Sequence, residues 1–122
     1  MDQKDIVQIT LNGPVAVVAF AMASITDAQV IAMASKRIRE ILEEAGRPSR
    51  VVFDFEGVNF FSSQILGLLL EIRARMQATG GKVVISAISP SLRQVFKTTN
   101  LDKIFEFFPD RWAAMEVPGT TH

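Results

Sequence analysis

The sequence predicts an α/β fold: a mixed, mostly parallel sheet of about four to five strands, opened by an N-terminal β-hairpin and packed by about four helices. Three observations carry this reading. Short β-branched runs recur along the chain, two long segments between them repeat apolar residues at helical spacing, and Gly, Pro and Asn signals separate the two kinds of segment. A helical bundle has no use for the valine-rich runs. Strands that alternate with helices after an opening hairpin imply parallel pairing through crossovers.

The hairpin comes first. Ile6, Val7, Ile9 and Leu11 give a largely alternating strand, Asn12-Gly13-Pro14 a tight turn, and Val15 to Phe20 a β-branched run apolar enough for burial on both faces. Ser24-Ile25-Thr26-Asp27 then offers capping side chains to a long helix. Val30, Ile31, Ala34, Ile38, Ile41 and Leu42 form its apolar stripe, and Gly46 and Pro48 stop it. Its charged residues, Lys36 to Glu44, read as solvated surface. Arg50 to Phe55 is a third strand, and Glu56 to Asn59 a turn.

A second long helix is expected from Ser63 to Thr79, with Ile65, Leu66, Leu69, Leu70, Ile72 and Met76 inward, before Gly80-Gly81 ends it. Lys82 to Ser86 is a strand. Ser89 caps a third helix over Pro90 to Thr98, with proline in the first turn. Leu101 to Phe105 is expected as the last strand, and Asp110 to Glu116 as a last helix that Trp112 packs against the sheet. One domain is expected over residues 1–116, with 117–122 as a flexible tail.

Composition narrows the function. The 122 residues carry 13 basic and 13 acidic side chains, so the net charge is zero, and nothing resembles the basic surface of a nucleic-acid binder. There is no cysteine, no tyrosine, and one histidine, the terminal His122. A disulfide framework, a thiolate metal site and a Ser-His-Asp or Cys-His catalytic arrangement are therefore excluded, so no catalytic residue, metal or cofactor is expected. Met1 to Asp5 is polar, unlike a signal peptide, and the apolar stretch Pro14 to Ala23 is too short to insert into a bilayer. The expectation is a cytoplasmic, non-enzymatic protein.

The segment Val58 to Gly67 is the most informative. Ser62 and Ser63 stand where a loop becomes a helix N-terminus, where unpaired amides favour negative charge and would tolerate a phosphate on either serine. The alternative role is a helix cap, and the two are compatible. Asp54 and Glu56 are the nearest acidic pair; without a third ligand nearby in sequence they read as strand-end pairing or capping rather than a metal site. Gly80-Gly81 has no following Gly-Lys-Ser/Thr and is no nucleotide loop. Phe53, Phe55, Phe60, Phe61, Phe105, Phe107 and Phe108 read mainly as core, with any exposed member marking a contact surface.

Val51-Val52-Phe53-Asp54-Phe55, Val58-Asn59-Phe60, Ser62-Ser63 and Leu66-Gly67 together resemble the STAS domain of anti-sigma factor antagonists. Gly80 to Ile85, Ala87 to Pro90, Thr99-Asn100-Leu101 and Ile104-Phe105 are similar to later parts of the same family. The resemblance spans nearly the whole chain, with most specificity between Arg50 and Phe105. It implies a module that docks an anti-sigma factor which is also a serine kinase. That kinase phosphorylates a serine at the start of the second long helix, and the modified protein then lets go.

One departure stands out. The family usually reads Asp-Ser-Ser-Gly with the second serine modified, and ungapped alignment puts Gln64 at that position and Ile65 at the glycine. Ser63, then Ser62, are the remaining phosphoacceptor candidates. The resemblance implies a docking surface of Ser24, Ile25, Thr26 and Asp27 with Ser62, Ser63, Gln64 and Ile65. The alternative is a STAS subunit, not phosphorylated, in a larger assembly such as a lipid-transport ATPase complex or a signalling scaffold. Neither reading sets an oligomeric state.

Overall fold

The structure, a computed structural model, describes residues 6–44, 46 and 48–116. The chain opens with strand β1, Val7–Asn12, turning at Gly13 into β2, Val15–Phe20. A two-residue strand β3, Ser24–Ile25, leads to helix α1, Ala28–Glu44. Strand β4 is Arg50–Asp54, a second two-residue strand β5 is Phe60–Phe61, and helix α2 is Ser63–Gln77. Strand β6, Lys82–Ser86, and helix α3, Pro90–Thr98, precede a 3₁₀ turn at Leu101–Lys103, strand β7 at Glu106–Phe108 and helix α4 at Arg111–Met115.

Five strands form one sheet in the order β1-β2-β4-β6-β7. Only the β1–β2 hairpin is antiparallel; β2, β4, β6 and β7 pair in parallel. The expected mixed, mostly parallel sheet with its hairpin and four helices is the fold observed. Alternation along the strands builds a core on each face. Ala16, Val18, Phe20, Val51, Phe53, Val83 and Ile85 meet the apolar stripes of α1, α2 and α3 on one side. Val15, Val17, Val52 and Val84 meet Ala114 of α4 on the other. The central strand β4 is buried along its whole length: Val51, Val52 and Phe53 face the two cores, and the charged ends Arg50 and Asp54 are bonded to α4.

Four expectations change. The last strand is Glu106–Phe108 rather than Leu101–Phe105. Leu101, Ile104 and Phe105 are spaced i, i+3, i+4, which suits a helical turn, and the Leu101 carbonyl accepts from both the Ile104 and Phe105 amides. Asn100 enters that turn in the left-handed conformation, φ 63°. Second, Ser24 and Ile25 are strand, not cap; Asp27 alone caps α1, its Oδ1 accepting from the Gln29 and Val30 amides at 2.8 and 3.2 Å. Third, α2 stops at Gln77, and Leu70 on it is 38% exposed rather than inward. Fourth, Trp112 does not pack α4 down: it is 71% exposed, and Ala114 with Met115 makes the contact. In a five-residue helix one face meets the sheet, and Trp112 is on the other.

The expected cap and proline at α3 are present, with Ser89 Oγ accepting from the Leu92 amide at 3.3 Å. The expected tail, 117–122, lies outside the described residues. Among the described residues no helix is long and apolar enough to cross a membrane.

Candidate functional site at the start of α2

The candidate residues gather beyond the C-terminal ends of parallel strands β2 and β4, the edge at which α/β sheets commonly place their sites. After β4 the chain turns at Gly57, φ +80°, a backbone conformation that glycine alone adopts without strain. It then runs beside β3. Ser24 pairs with Phe60 and Ile25 with Phe61 in a parallel ladder. The Asn59 and Phe60 amides donate to the Ala23 carbonyl at 2.7 and 3.2 Å, and the Ser62 amide donates to the Ile25 carbonyl at 2.9 Å. Two segments distant in sequence, Ser24 to Asp27 and Ser62 to Ile65, are thereby bonded into one surface.

Within this ladder the side chains alternate. Ser24 and Phe60 face solvent, while Ile25 and Phe61 enter the core. Phe60 is 55% exposed, an apolar ring beside the two serines. Only one of the seven grouped phenylalanines is exposed to this degree. Phe53, Phe55, Phe61 and Phe105 are buried, and Phe96 meets Phe61 and Phe105 edge-on at 6.2 and 6.0 Å. Sequence reading did not single out Phe60 as a site residue, because a two-residue strand is too short for alternation to be legible.

The serines differ. Ser62 occupies the N-cap position of α2 with an extended backbone, φ −82° and ψ 165°, yet its side chain caps nothing. Its hydroxyl oxygen is shielded from solvent and has no hydrogen-bond partner. Ser63, in the first turn, is exposed, as is Gln64. The structure thus separates the cap reading from its usual bond: Ser62 stands at the cap without making it. Ile25 and Ile65, expected on the docking surface, are both fully buried. They anchor the ladder and helix from beneath, and Phe60, Ser24, Thr26, Asp27, Ser63 and Gln64 form the exposed face.

Asp54 and Glu56 do not share a site. Asp54 is 1% exposed; its Oδ1 accepts from Ser86 Oγ at 3.1 Å and from the Glu56 amide at 3.2 Å, and its Oδ2 accepts from Arg111. Glu56 points to solvent. Among the described residues no three His, Cys, Asp or Glu side chains are grouped to hold a metal. At the other end of β4, burial lowers the Arg50 guanidinium from its ordinary pKa, and Nη1 donates to the Ala114 carbonyl at 2.8 Å. A cavity of about 410 Å³ lies away from the candidate surface, between the last turns of α1 and α2, over Leu42, Pro48 and Met76. No phenylalanine lines it.

The family model described as STAS domain matches residues 3–114. The chain belongs to the STAS domain family. Solved STAS structures share the fold along nearly the full length. The anti-sigma factor antagonist SpoIIAA in its unphosphorylated form superposes with a TM-score of 0.79 at 20% identity, over 95% of this chain and 99% of that one. A STAS domain protein from Planctomyces limnophilus gives 0.78 at 21% identity, over 88% and 93%. SpoIIAA of Bacillus in its phosphorylated form gives 0.67 at 18% identity, over 88% and 96%. At these identities the shared property is the STAS fold, with its hairpin, parallel sheet and helix order.

Proposed function

We propose that this STAS domain is a cytoplasmic regulatory module, not an enzyme, that docks an anti-sigma factor or related serine kinase in a partner-switching pathway. The carrying observation is the β3–β5 ladder, which brings Ser24, Thr26 and Asp27 together with Ser63 and Gln64 on one exposed face around Phe60. An aromatic ring on a polar rim is the composition of a protein-docking patch. Two of the structural relatives are named as anti-sigma factor antagonists, and SpoIIAA is described both in an unphosphorylated and in a phosphorylated form. In this reading the chain acts as one domain over residues 1–116.

Ser63 is the phosphoacceptor in this proposal, ahead of Ser62. Its exposure is what a kinase active site needs, whereas the Ser62 hydroxyl is shielded. A phosphate on Ser63 would add nearly two negative charges in the first turn of α2, which has no acidic residue. The positive helix end accommodates that charge within the domain, while its bulk and charge on the docking face oppose partner binding. The test is incubation with the anti-sigma factor kinase encoded nearest this gene and ATP, followed by mass-spectrometric mapping and binding titration. Phosphate on Ser63 with loss of binding is expected. Absence of phosphate on both serines rejects the switch, and absence of binding by the unmodified protein rejects the docking role.

One observation favours a second reading: Gln64, which cannot be phosphorylated, aligns with the family's usual acceptor. A constitutive STAS subunit of a transport ATPase or signalling scaffold would need no acceptor there. Affinity capture that recovers a membrane ATPase and no kinase would select it.

A further inference from the structure

We propose that the cavity between the C-terminal turns of α1 and α2 is a binding site for a free α-amino acid with an apolar side chain. This goes beyond the docking reading and does not depend on it, because none of the cavity's lining residues belongs to the β3–β5 surface. The volume of about 410 Å³ falls within the range of about 300–1,000 Å³ usual for small-molecule sites. α1 supplies Arg39, Leu42 and Glu43 to the lining, the connection to β4 supplies Pro48, and α2 supplies Arg75 and Met76.

One end of the cavity is cationic. α1 and α2 are both crossovers between parallel strands, so they run the same way, and Arg39 and Arg75 stand level with each other. Both guanidinium groups reach the same oxygen, Glu71 Oε2, Arg39 through Nη1 at 3.1 Å and Arg75 through Nε at 3.3 Å. A single carboxylate between two guanidiniums leaves one positive charge over. Each guanidinium also has more N–H donors than Glu71 can engage, in a planar fork that suits a second carboxylate.

The other end is anionic. Glu43 follows Arg39 by one helical turn, about 5–6 Å along α1. The last turn of α1 has no basic residue, so Glu43 adds its charge to the negative end of the helix. An ammonium group is favoured there and a carboxylate is not. Leu42 and Met76, both buried, and the buried Pro48 give the cavity its apolar wall. A guanidinium pair, an apolar wall and a carboxylate within one helical turn complement a zwitterion that carries an apolar side chain. A simple fatty acid would leave Glu43 without a partner, and a nucleotide would bring more negative charge than one spare cation balances.

Amide chemical shifts of the labelled full chain, followed by NMR during titration with L-leucine, test the site. Saturable shifts are expected at the C-terminal turns of α1 and α2, in the millimolar range for a ligand of so few atoms. Isocaproate lacks the ammonium, isopentylamine lacks the carboxylate and glycine lacks the side chain; each should bind at least about tenfold more weakly. Glu43 and Arg75 are exposed, so Glu43→Gln and Arg75→Gln should keep the fold. Each should weaken leucine binding at least about tenfold, while Glu43→Gln should strengthen the binding of isocaproate by removing a like charge. No saturable shift at these turns, isocaproate binding as tightly as leucine, or two variants that bind leucine as the parent does would overturn the proposal.

Discussion

Arg111, in the first turn of α4, reaches Asp54 at the C-terminal end of β4: its Nη2 is 2.6 Å and its Nε 2.7 Å from Asp54 Oδ2. The pair fastens the start of α4 to the sheet, and Arg50, bonded to the Ala114 carbonyl at 2.8 Å, fastens its end. A helix of five residues has almost no stability of its own, so these two tethers and the Ala114 contact hold it on the sheet.

Removing either partner leaves the other uncompensated. Asp54→Ala and Arg111→Ala should each cost about 2–3 kcal/mol, less than for a wholly buried pair because the Arg111 side chain is 32% exposed. A double-mutant cycle by urea denaturation should give a coupling energy above about 1 kcal/mol. Additive losses would mean that the two residues act independently.

The helix starts divide by their caps. Ser89→Ala removes a side-chain bond to the Leu92 amide and should cost about 1 kcal/mol. Ser62→Ala, at the equivalent position of α2, removes a shielded hydroxyl with no partner and should leave stability unchanged or raise it. Denaturation midpoints of the two variants, measured side by side, check the contrast.

Trp112 is the single tryptophan and is 71% exposed. Its emission should be red-shifted in the native state and readily quenched by iodide. Trp112→Ala should change stability by no more than about 0.5 kcal/mol. A blue-shifted, protected emission would place the ring in a packed environment instead.

Phe60 provides the most direct check on the docking face. Its ring is 55% exposed, so Phe60→Ala should leave the melting temperature within a few degrees while weakening partner binding at least about tenfold, as loss of an aromatic anchor does. Calorimetric titration against the anti-sigma factor, with melting curves on the same samples, separates the two effects. Unchanged affinity would remove Phe60 from the interface.

Much of the fold was legible along the chain. The limits of α3, Pro90–Thr98, follow from the Ser89 cap, the proline and the apolar spacing. The hairpin register, with Asn12 opposite Val15, follows from a two-residue turn at Gly13-Pro14 and the alternation beside it. Other features were not legible. Leu101 to Phe105 has the composition of a strand and the spacing of a turn, and the packing of Phe105 against Phe96 accompanies the turn. Ser24-Ile25 and Phe60-Phe61 form strands only because each supplies the other's backbone partner.

By itself, then, the sequence determined the hairpin, the longer strands, the four helices, the α/β class and the family. Those are properties of local spacing, capping and composition, which neighbouring residues settle among themselves. The tertiary structure decided which side chains around Ser62 and Ser63 reach solvent: Phe60, Ser63 and Gln64 outward, Ile25, Phe61 and Ile65 inward, the Ser62 hydroxyl shielded and unbonded. It also decided that Trp112 lies outside the core while Arg111 beside it is anchored on Asp54. The reason is the same in each case: exposure depends on what a residue faces across a ladder or a helix contact, and that partner comes from a distant part of the chain.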